Sequence, residues 1–267
     1  MRIVRLAATV LAAVLILASV GGSFLPRFDY AVQDREQVNA SSSAKHWLGT
    51  DDLGRDRFAR LLHGTCVSML LAPAAAALSI LLALAIGAAP GFFGGFSERA
   101  AKTAIDLFLS VPWLFLLLTV RAMLPLNTSP AVSVAITFLM LGVLGWAAPA
   151  RILLARARSM RQSDFILMAR SIGVSPARLL GKHVLPNLRP ILLAQFWISV
   201  PMFVLAEANL SLLGLGVAEP LPSLGSLLRE LETVMSFRAD LCRFAALIVL
   251  VLIVSGMQLA VSGPEVP

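Results

Sequence analysis

Long apolar stretches separated by shorter polar intervals dominate the chain. An α-helix needs about twenty mostly apolar residues to cross the hydrocarbon core of a bilayer. Six stretches have roughly this length and composition, namely 6–25, 66–86, 107–124, 131–148, 188–210 and 245–260. The pattern therefore predicts an all-α membrane protein with six transmembrane helices.

The second predicted span ends in a segment rich in glycine and proline. Pro90, Gly91, Gly94 and Gly95 are expected to break the helix there. Four charged residues between 98 and 106 then place the turn at the inner membrane surface.

The first apolar stretch follows two basic residues, Arg2 and Arg5. A basic start, an apolar run and small residues near 18–22 are also the pattern of a cleaved signal peptide. We favour a retained helix, because the run is long for the apolar part of a signal peptide.

Charge distinguishes two of the polar intervals. Residues 26–64 carry six basic and six acidic residues, whereas residues 151–186 carry seven basic residues and one acid, Asp164. Loops that stay in the cytoplasm keep an excess of lysine and arginine. We therefore predict a first helix at 1–25, an extracytoplasmic loop at 26–65, and a five-helix core at 66–262 with a cytoplasmic loop at 151–187. Both termini are then cytoplasmic.

Composition excludes an ordinary soluble domain. The 267 residues are 58% hydrophobic and 14% charged, and their mean hydropathy is +0.85. The net charge of +7 is concentrated in the 151–186 interval, so membrane topology explains it without a nucleic-acid partner. Cys66 and Cys242 have the spacing of neither a disulfide framework nor a metal site.

The basic interval predicts a first short helix over 164–172. Ser163 is a good N-cap residue, and apolar residues recur within the helix at spacings of three and four. Gly173 can supply the left-handed residue that ends the helix. The apolar face comprises Phe165, Met168, Ala169 and Ile172.

A second short helix is predicted over 177–183. Ser175 is a good N-cap residue, and Pro176 occupies the first helical position, where its missing N–H costs nothing. Pro186 is expected to end this helix. A helix–glycine–helix unit with an apolar face suits the docking of another protein. An amphipathic helix lying on anionic lipid is the alternative, and the composition favours it equally.

The sequence of this unit resembles a motif of known transporters. Residues 165–173 read Phe-Ile-Leu-Met-Ala-Arg-Ser-Ile-Gly, and after nine residues His-Val-Leu-Pro-Asn follows at 183–187. This arrangement is similar to the EAA loop of ABC-importer permeases, whose pattern is E-A-A-x-x-x-G, nine residues, I-x-L-P. The matching residues are Ala169, Gly173, Leu185 and Pro186. The departing residues are Leu167, Met168 and His183, where the family has Glu, Ala and Ile.

The histidine at position 183 is typical of the dipeptide, oligopeptide and nickel branch of these permeases, and three further segments resemble that branch. Residues 46–56 match H-x-L-G-T-D-x-x-G-R-D, and residues 206–216 resemble A-E-A-x-L-S-F-L-G-L-G. Residues 222–225 match P-S-W-G except that Leu224 replaces Trp. The resemblance thus extends over residues 46–228. From its residues alone, the 46–64 segment is expected to be a solvated loop that leads into a helix.

The resemblance implies an ABC type I importer-like permease fold, in a multi-pass protein of the bacterial cytoplasmic (inner) membrane. Implied partners are a second permease subunit, two ABC ATPase subunits and an extracytoplasmic solute-binding protein. Di- or oligopeptides are the implied cargo, with nickel second. The interval would couple ATP hydrolysis in the ATPases to transport. The implied coupling residues are Phe165, Leu167, Met168, Ala169, Gly173, His183, Leu185 and Pro186.

Two ionisable residues fall within predicted spans. Arg121, near the outer end of the third span, can snorkel to the interface or line a translocation path. Glu207, near the outer end of the fifth, can line the same path, pair with a neighbouring helix or cap a loop. A buried carboxylate costs several kcal/mol unless it is partnered, so Glu207 is a candidate for function.

The sequence predicts a non-catalytic subunit without a cofactor. Gly181-Lys182 lacks the earlier glycine and the following Ser or Thr of a phosphate-binding loop. His46 and His63 lack the spacing of helical metal ligands. A secondary transporter without an ATPase is the alternative function. It would be expected to show inverted repeats and interrupted helices with intramembrane charges, which the sequence lacks apart from Arg121 and Glu207.

Overall fold

The structure is a computed structural model that describes residues 2–23, 25–125, 128–231 and 241–261. Apart from two isolated β-bridges, the regular elements in these ranges are helical. The first six helices are α1 (Arg2–Ser23), α2 (Arg57–Ala83), α3 (Ala89–Phe93), α4 (Gly95–Ser110), α5 (Trp113–Met123) and α6 (Pro130–Leu144). The others are α7 (Ala147–Arg161), α8 (Asp164–Ser171), α9 (Pro176–Leu179), α10 (Leu185–Leu212), α11 (Leu224–Arg229) and α12 (Ala245–Val261).

Four helical stretches in the described ranges are long and apolar enough to cross a bilayer. They are Leu6–Ser23, Arg57–Phe93, Pro130–Arg161 and Pro176–Leu212. Helices α4 and α5 make a fifth if they count as one span, and the apolar helix Ala245–Ala260 is shorter. An all-α protein with several apolar spans is thus confirmed, whereas the count of six stays a prediction.

The third predicted span is not one helix. Helices α4 and α5 meet at an angle of 82°. The break lies at Val111, which is extended (φ −90°, ψ 129°) and precedes Pro112. The ring of a proline disfavours helical backbone at the preceding residue, so a helix tends to end there. The prediction of an unbroken span over 107–124 is therefore wrong.

Two other prolines do not break their helices. Pro90 and Pro186 were expected to do so, but each follows a five-residue π-helical turn, Leu84–Ala88 or Leu180–Val184, through which the helix continues. A π-helical turn is wider than an α-helical one, so it leaves room for the ring of the proline that follows. The helix that contains Pro90 ends at Gly94, whose φ is +78°.

The chain forms two compact units, which are described separately. One comprises residues 74–120 and 139–199. Its core includes an element that the sequence analysis assigned to a loop, the helix α7. Small residues allow close packing here, since a Cβ on Gly87 would overlap the carbonyl oxygen of Ala150, and one on Gly91 would lie 2.6 Å from that of Leu154. Residues 151–161 are therefore helical, whereas the cytoplasmic location of the 151–187 interval stays a prediction.

None of the arginines of α7 is among its buried residues, and three of them pair with acidic residues of α4. Arg151 contacts Asp106 at 2.6 Å, and Arg158 and Arg161 contact Glu98 at 3.3 and 2.9 Å. An amphipathic helix of this kind buries one stripe and pairs the charges of the other.

The other unit comprises residues 1–73, 121–138 and 200–267. Within it α1 packs against α12 through small residues: a Cβ on Gly256 would lie 2.5 Å from the Cβ of Ala12 and 2.8 Å from the carbonyl oxygen of Ala8. Helix α2 begins at Arg57, earlier than the predicted residue 66.

Candidate functional site

The first short helix predicted from the sequence, over 164–172, is α8 at Asp164–Ser171. Its predicted start is confirmed, and its end lies one residue earlier than predicted. Ser163 lies at the N-cap position with extended backbone, but its side chain makes no capping bond. The hydroxyl donates instead to the carbonyl oxygen of Met160 at 2.6 Å. The capping role predicted for Ser163 is therefore wrong, because its hydroxyl is turned toward the end of α7 and accepts no bond from the N–H groups of α8.

The glycine turn after α8 has the geometry of a Schellman motif. Gly173 has φ +83°. Its N–H donates to the carbonyl oxygen of Arg170 at 3.0 Å, and the N–H of Val174 donates to that of Ala169 at 3.1 Å. These two bonds satisfy carbonyls that the helix end leaves without partners. The left-handed role predicted for Gly173 is confirmed.

The second helix, α9, begins at Pro176 after Ser175, as predicted. It does not stop before Pro186, however, since the π-helical turn Leu180–Val184 joins it to α10. The predicted residues Leu185 and Pro186 thus form the first turn of a long helix. The helix–glycine–helix unit is therefore continuous with a candidate span.

Buried side chains fix this unit to the core of its part of the protein. Ile166, Leu179 and Val184 are fully buried in one cluster with residues of α7, and Ala169 packs against that cluster. The guanidinium of Arg170 lies 5.2 Å from the centre of the Phe92 ring, within cation–π range. Helix α8 is thus held by one face only.

The opposite face of α8 is apolar and exposed. Met168 and Ile172 are 72% and 77% exposed, and Phe165 and Leu167 are also exposed. The Phe165 ring lies 6.0 Å from the ring of His183, centre to centre, which brings these two predicted coupling residues together. We call Phe165, Leu167, Met168 and Ile172 the docking face.

Glu207 is fully buried and holds a loop to α10. Its carboxylate accepts hydrogen bonds from the hydroxyls of Ser211 at 2.7 Å and Ser223 at 2.6 Å, and from the N–H of Gly225 at 3.3 Å. Ser223 also begins α11, where it forms a capping box with Ser226. The bonds from Ser223 and Gly225 tie α10 to the start of α11, whereas the bond from Ser211 lies within α10.

Arg121 is 1% exposed and does not reach outward as a snorkelling residue would. Among the residues that the structure describes, its guanidinium donates to neutral oxygens only: the Ser133 hydroxyl at 3.2 Å and the carbonyls of Pro125 and Gly216, both at 3.4 Å. It lines a cavity of about 440 Å³, which we call the polar cavity. The structure does not pair Arg121 with Glu207, although Ser211, a partner of Glu207, also lines this cavity.

A charged cluster borders the polar cavity and was missed by the sequence analysis. Arg60 is fully buried, and its guanidinium contacts Asp51 at 3.1 Å, Glu219 at 3.1 Å and Glu230 at 2.5 Å. Arg55 contacts Asp51 at 2.7 Å and Glu219 at 2.5 Å. The expectation that residues 46–64 form a solvated loop is therefore wrong for these residues. Buried charges require such partners.

Burial raises the pKa of Glu230 to about 7, and the nearby Arg60 only partly offsets this effect. The side chain is 28% exposed. The cluster thus contains one carboxyl group that titrates near neutral pH. The density of charged residues at 51–60 was the one local sign of this cluster in the sequence. Glu219 and Glu230 lie 159 and 170 residues after Arg60, and no local pattern links these acids to it.

Comparison with known proteins assigns the family. The model of the family of binding-protein-dependent transport system inner membrane components matches residues 69–262. The chain belongs to this family. The predicted relationship to importer permeases is thereby confirmed.

Relatives of this transport component include peptide permeases. The oligopeptide transport system permease protein OppC of Mycobacterium tuberculosis H37Rv is 35% identical over 229 residues, which are 85% of this chain and 77% of that protein. OppC of Bacillus subtilis 168 is 32% identical over 80% of this chain and 68% of its own. The dipeptide transport system permease protein DppC of the same bacterium is 29% identical over 83% of this chain and 68% of the DppC chain. The family match contains the helix–glycine–helix unit, Arg121 and Glu207.

Proposed function

We propose that this chain is a permease subunit of an ATP-driven importer of oligopeptides or dipeptides in a bacterial inner membrane. Its relatives are named as permeases for these two classes of peptide. The importer would contain a second permease subunit and two ATPase subunits, and an extracytoplasmic binding protein would deliver the peptide. The ATPases would hydrolyse ATP, so this chain would have no catalytic role.

The exposed docking face carries the proposal of coupling. Four large apolar side chains exposed on one short helix favour contact with another protein surface. The opposite side of that helix is fixed by Ile166, and the helix end is fixed by the Gly173 turn. A face held in this way transmits a push from an ATPase into α10 with little local deformation. Ala169, His183, Leu185 and Pro186 would support the face, and rigid-body movement of the spans would follow.

Co-purification with an ATPase subunit tests this proposal. The tagged chain, expressed with its partner subunits, should retain the ATPases in mild detergent. Replacing Met168 and Ile172 with serine should release them while the second permease subunit stays bound. The matched control replaces the exposed Leu193 and Trp197 of α10, which lie outside the docking face, with serine. If transport of peptide continues without any ATPase, the chain is a secondary transporter.

We further propose six spans with cytoplasmic termini, and the charge distribution supports this orientation. A reporter fused near Gln162 should be cytoplasmic, and one near Ser42 should be extracytoplasmic. The reverse result would refute both the orientation and the docking role.

Uptake assays with dipeptides, oligopeptides and Ni²⁺, each with the cognate binding protein, test the cargo.

A further inference from the structure

We infer that Arg121 forms a carboxylate-binding subsite in the polar cavity and takes the terminal carboxylate of the transported peptide. The inference rests on the proposed function, because it assigns the ligand of a cavity within a peptide permease.

The environment of Arg121 is unusual for a buried charge. A guanidinium withdrawn from water normally has an anionic partner, because its desolvation is costly. Arg121 has three hydrogen bonds to neutral oxygens, at 3.2 to 3.4 Å, and its Nε has no partner in the described ranges. Hydrogen bonds from N–H to oxygen are usually 2.7–3.2 Å long, so the two contacts with carbonyl oxygens, at 3.4 Å, are weak. The charge is not neutralised by any acidic residue that the structure describes.

Four acids line the cavity, and none of them contacts Arg121 among the described residues. Asp52 is exposed, and the other three are engaged by other arginines. Asp51, Glu219 and Glu230 line the same cavity, but they contact Arg60, and two of them also contact Arg55. The cavity is therefore left with an uncompensated guanidinium and with enough space, about 440 Å³, for a small ligand.

A purely structural role accounts for fewer of the observed features of Arg121 than a ligand-binding role does. A cation near the end of a helix can stabilise the last carbonyls, and Arg121 lies in the last turn of α5. Such a role accounts for the contact with Pro125, but not for the unpartnered Nε or for the position on the cavity wall. A planar guanidinium binds a carboxylate through two parallel hydrogen bonds, and this geometry uses Nε. A free peptide has a carboxylate at one end and an ammonium at the other, and the cavity is lined by both signs of charge.

The test uses the complete transporter in liposomes, with ATP inside and the cognate binding protein outside. The probes are trialanine and trialanine amide, which differ in the terminal carboxylate. Each variant is compared with the wild type separately for each peptide, so that any preference of the binding protein cancels. Arg121→Met should lower the uptake of trialanine by roughly tenfold or more, because a charge-assisted bidentate contact is lost. Uptake of the amide should change by less than about twofold.

Arg99→Met is the matched control, because Arg99 is an exposed arginine of α4 and lies outside the cavity. It should import both peptides at the wild-type rate. An equal loss of both peptides in Arg121→Met overturns the inference, since the guanidinium would then serve the fold or bind a carboxylate of the binding protein. Unchanged uptake of both peptides also overturns it, while the proposed function stands. Failure of the wild type to import either peptide refutes the proposed function, and the inference falls with it.

A second measurement covers the case in which Arg121→Met does not assemble. The wild-type complex is heated without the binding protein, in the presence of trialanine or its amide. The free acid should raise the midpoint of thermal unfolding, and the amide should raise it less. An equal shift with both peptides, or no shift with either, overturns the inference.

Discussion

Replacement of Gly173 tests whether the helix–glycine–helix unit depends on the left-handed backbone at this position. Gly173 has φ +83°, and a Cβ added to it would meet no atom within 4 Å. A side chain would therefore cost free energy through the backbone alone. We expect Gly173→Val to leave the protein inserted and abundant but to lower transport and substrate-stimulated ATP hydrolysis.

The size of the effect follows from the left-handed backbone. A residue with a Cβ costs about 1–2 kcal/mol in this region, and a β-branched side chain adds to the cost. This free energy corresponds to a change of roughly 5- to 30-fold in the population of the turn. The unit would relieve the strain by tilting the docking face. Gly173→Ala should show the lower end of this range, and Gly173→Asn should be close to wild type, because asparagine tolerates left-handed backbone.

The assay measures ATP hydrolysis and peptide uptake by the complete transporter in liposomes. Gly181→Ala is the matched control, since Gly181 lies in the same unit and does not have positive φ, and a Cβ added to it would also meet no atom within 4 Å. It should couple normally. Wild-type transport by Gly173→Val, with its ATPases bound, would refute the predicted requirement for left-handed backbone at this position. Equal losses of activity in Gly173→Asn and Gly173→Val would refute it as well.

Three further predictions concern other parts of the chain. Because folding raises the pKa of Glu230 to about 7, its contribution to stability is greatest below pH 4.5 and is lost as the pH rises to 7. The loss is about 3 kcal/mol. Glu230→Gln should therefore flatten the pH dependence of the thermal unfolding midpoint between pH 5 and 8. A wild-type unfolding midpoint that rises with pH over this range would contradict the prediction. Gly91→Ala should destabilise the fold by about 1–3 kcal/mol, because its Cβ would lie 2.6 Å from the carbonyl oxygen of Leu154. In thermal unfolding the control Gly21→Ala, which has open space, should be neutral or stabilising. Leu167→Glu, which introduces the residue usual in the family at an exposed position, should keep the ATPases bound in co-purification and support wild-type uptake.

Much of the coupling unit could be predicted from the sequence because its signals are local. The left-handed turn at Gly173 and the start of α9 at Pro176 depend on the backbone preferences of the residues themselves. The same holds for the apolar spans, whose length and composition are properties of one continuous stretch. The capping bond predicted for Ser163 is absent, because its hydroxyl is turned toward the carbonyl oxygen of Met160, to which it donates.

The sequence by itself thus determined the class of the protein, the membrane character of its helices and the helix–glycine–helix unit. Tertiary structure decided which prolines interrupt a helix, because π-helical turns accommodate Pro90 and Pro186 whereas Val111 becomes extended before Pro112. It also decided the partners of Arg60, since Glu219 and Glu230 come from a distant part of the chain. A buried charge is stable only where the fold brings such a partner to it, and no local pattern records that distance.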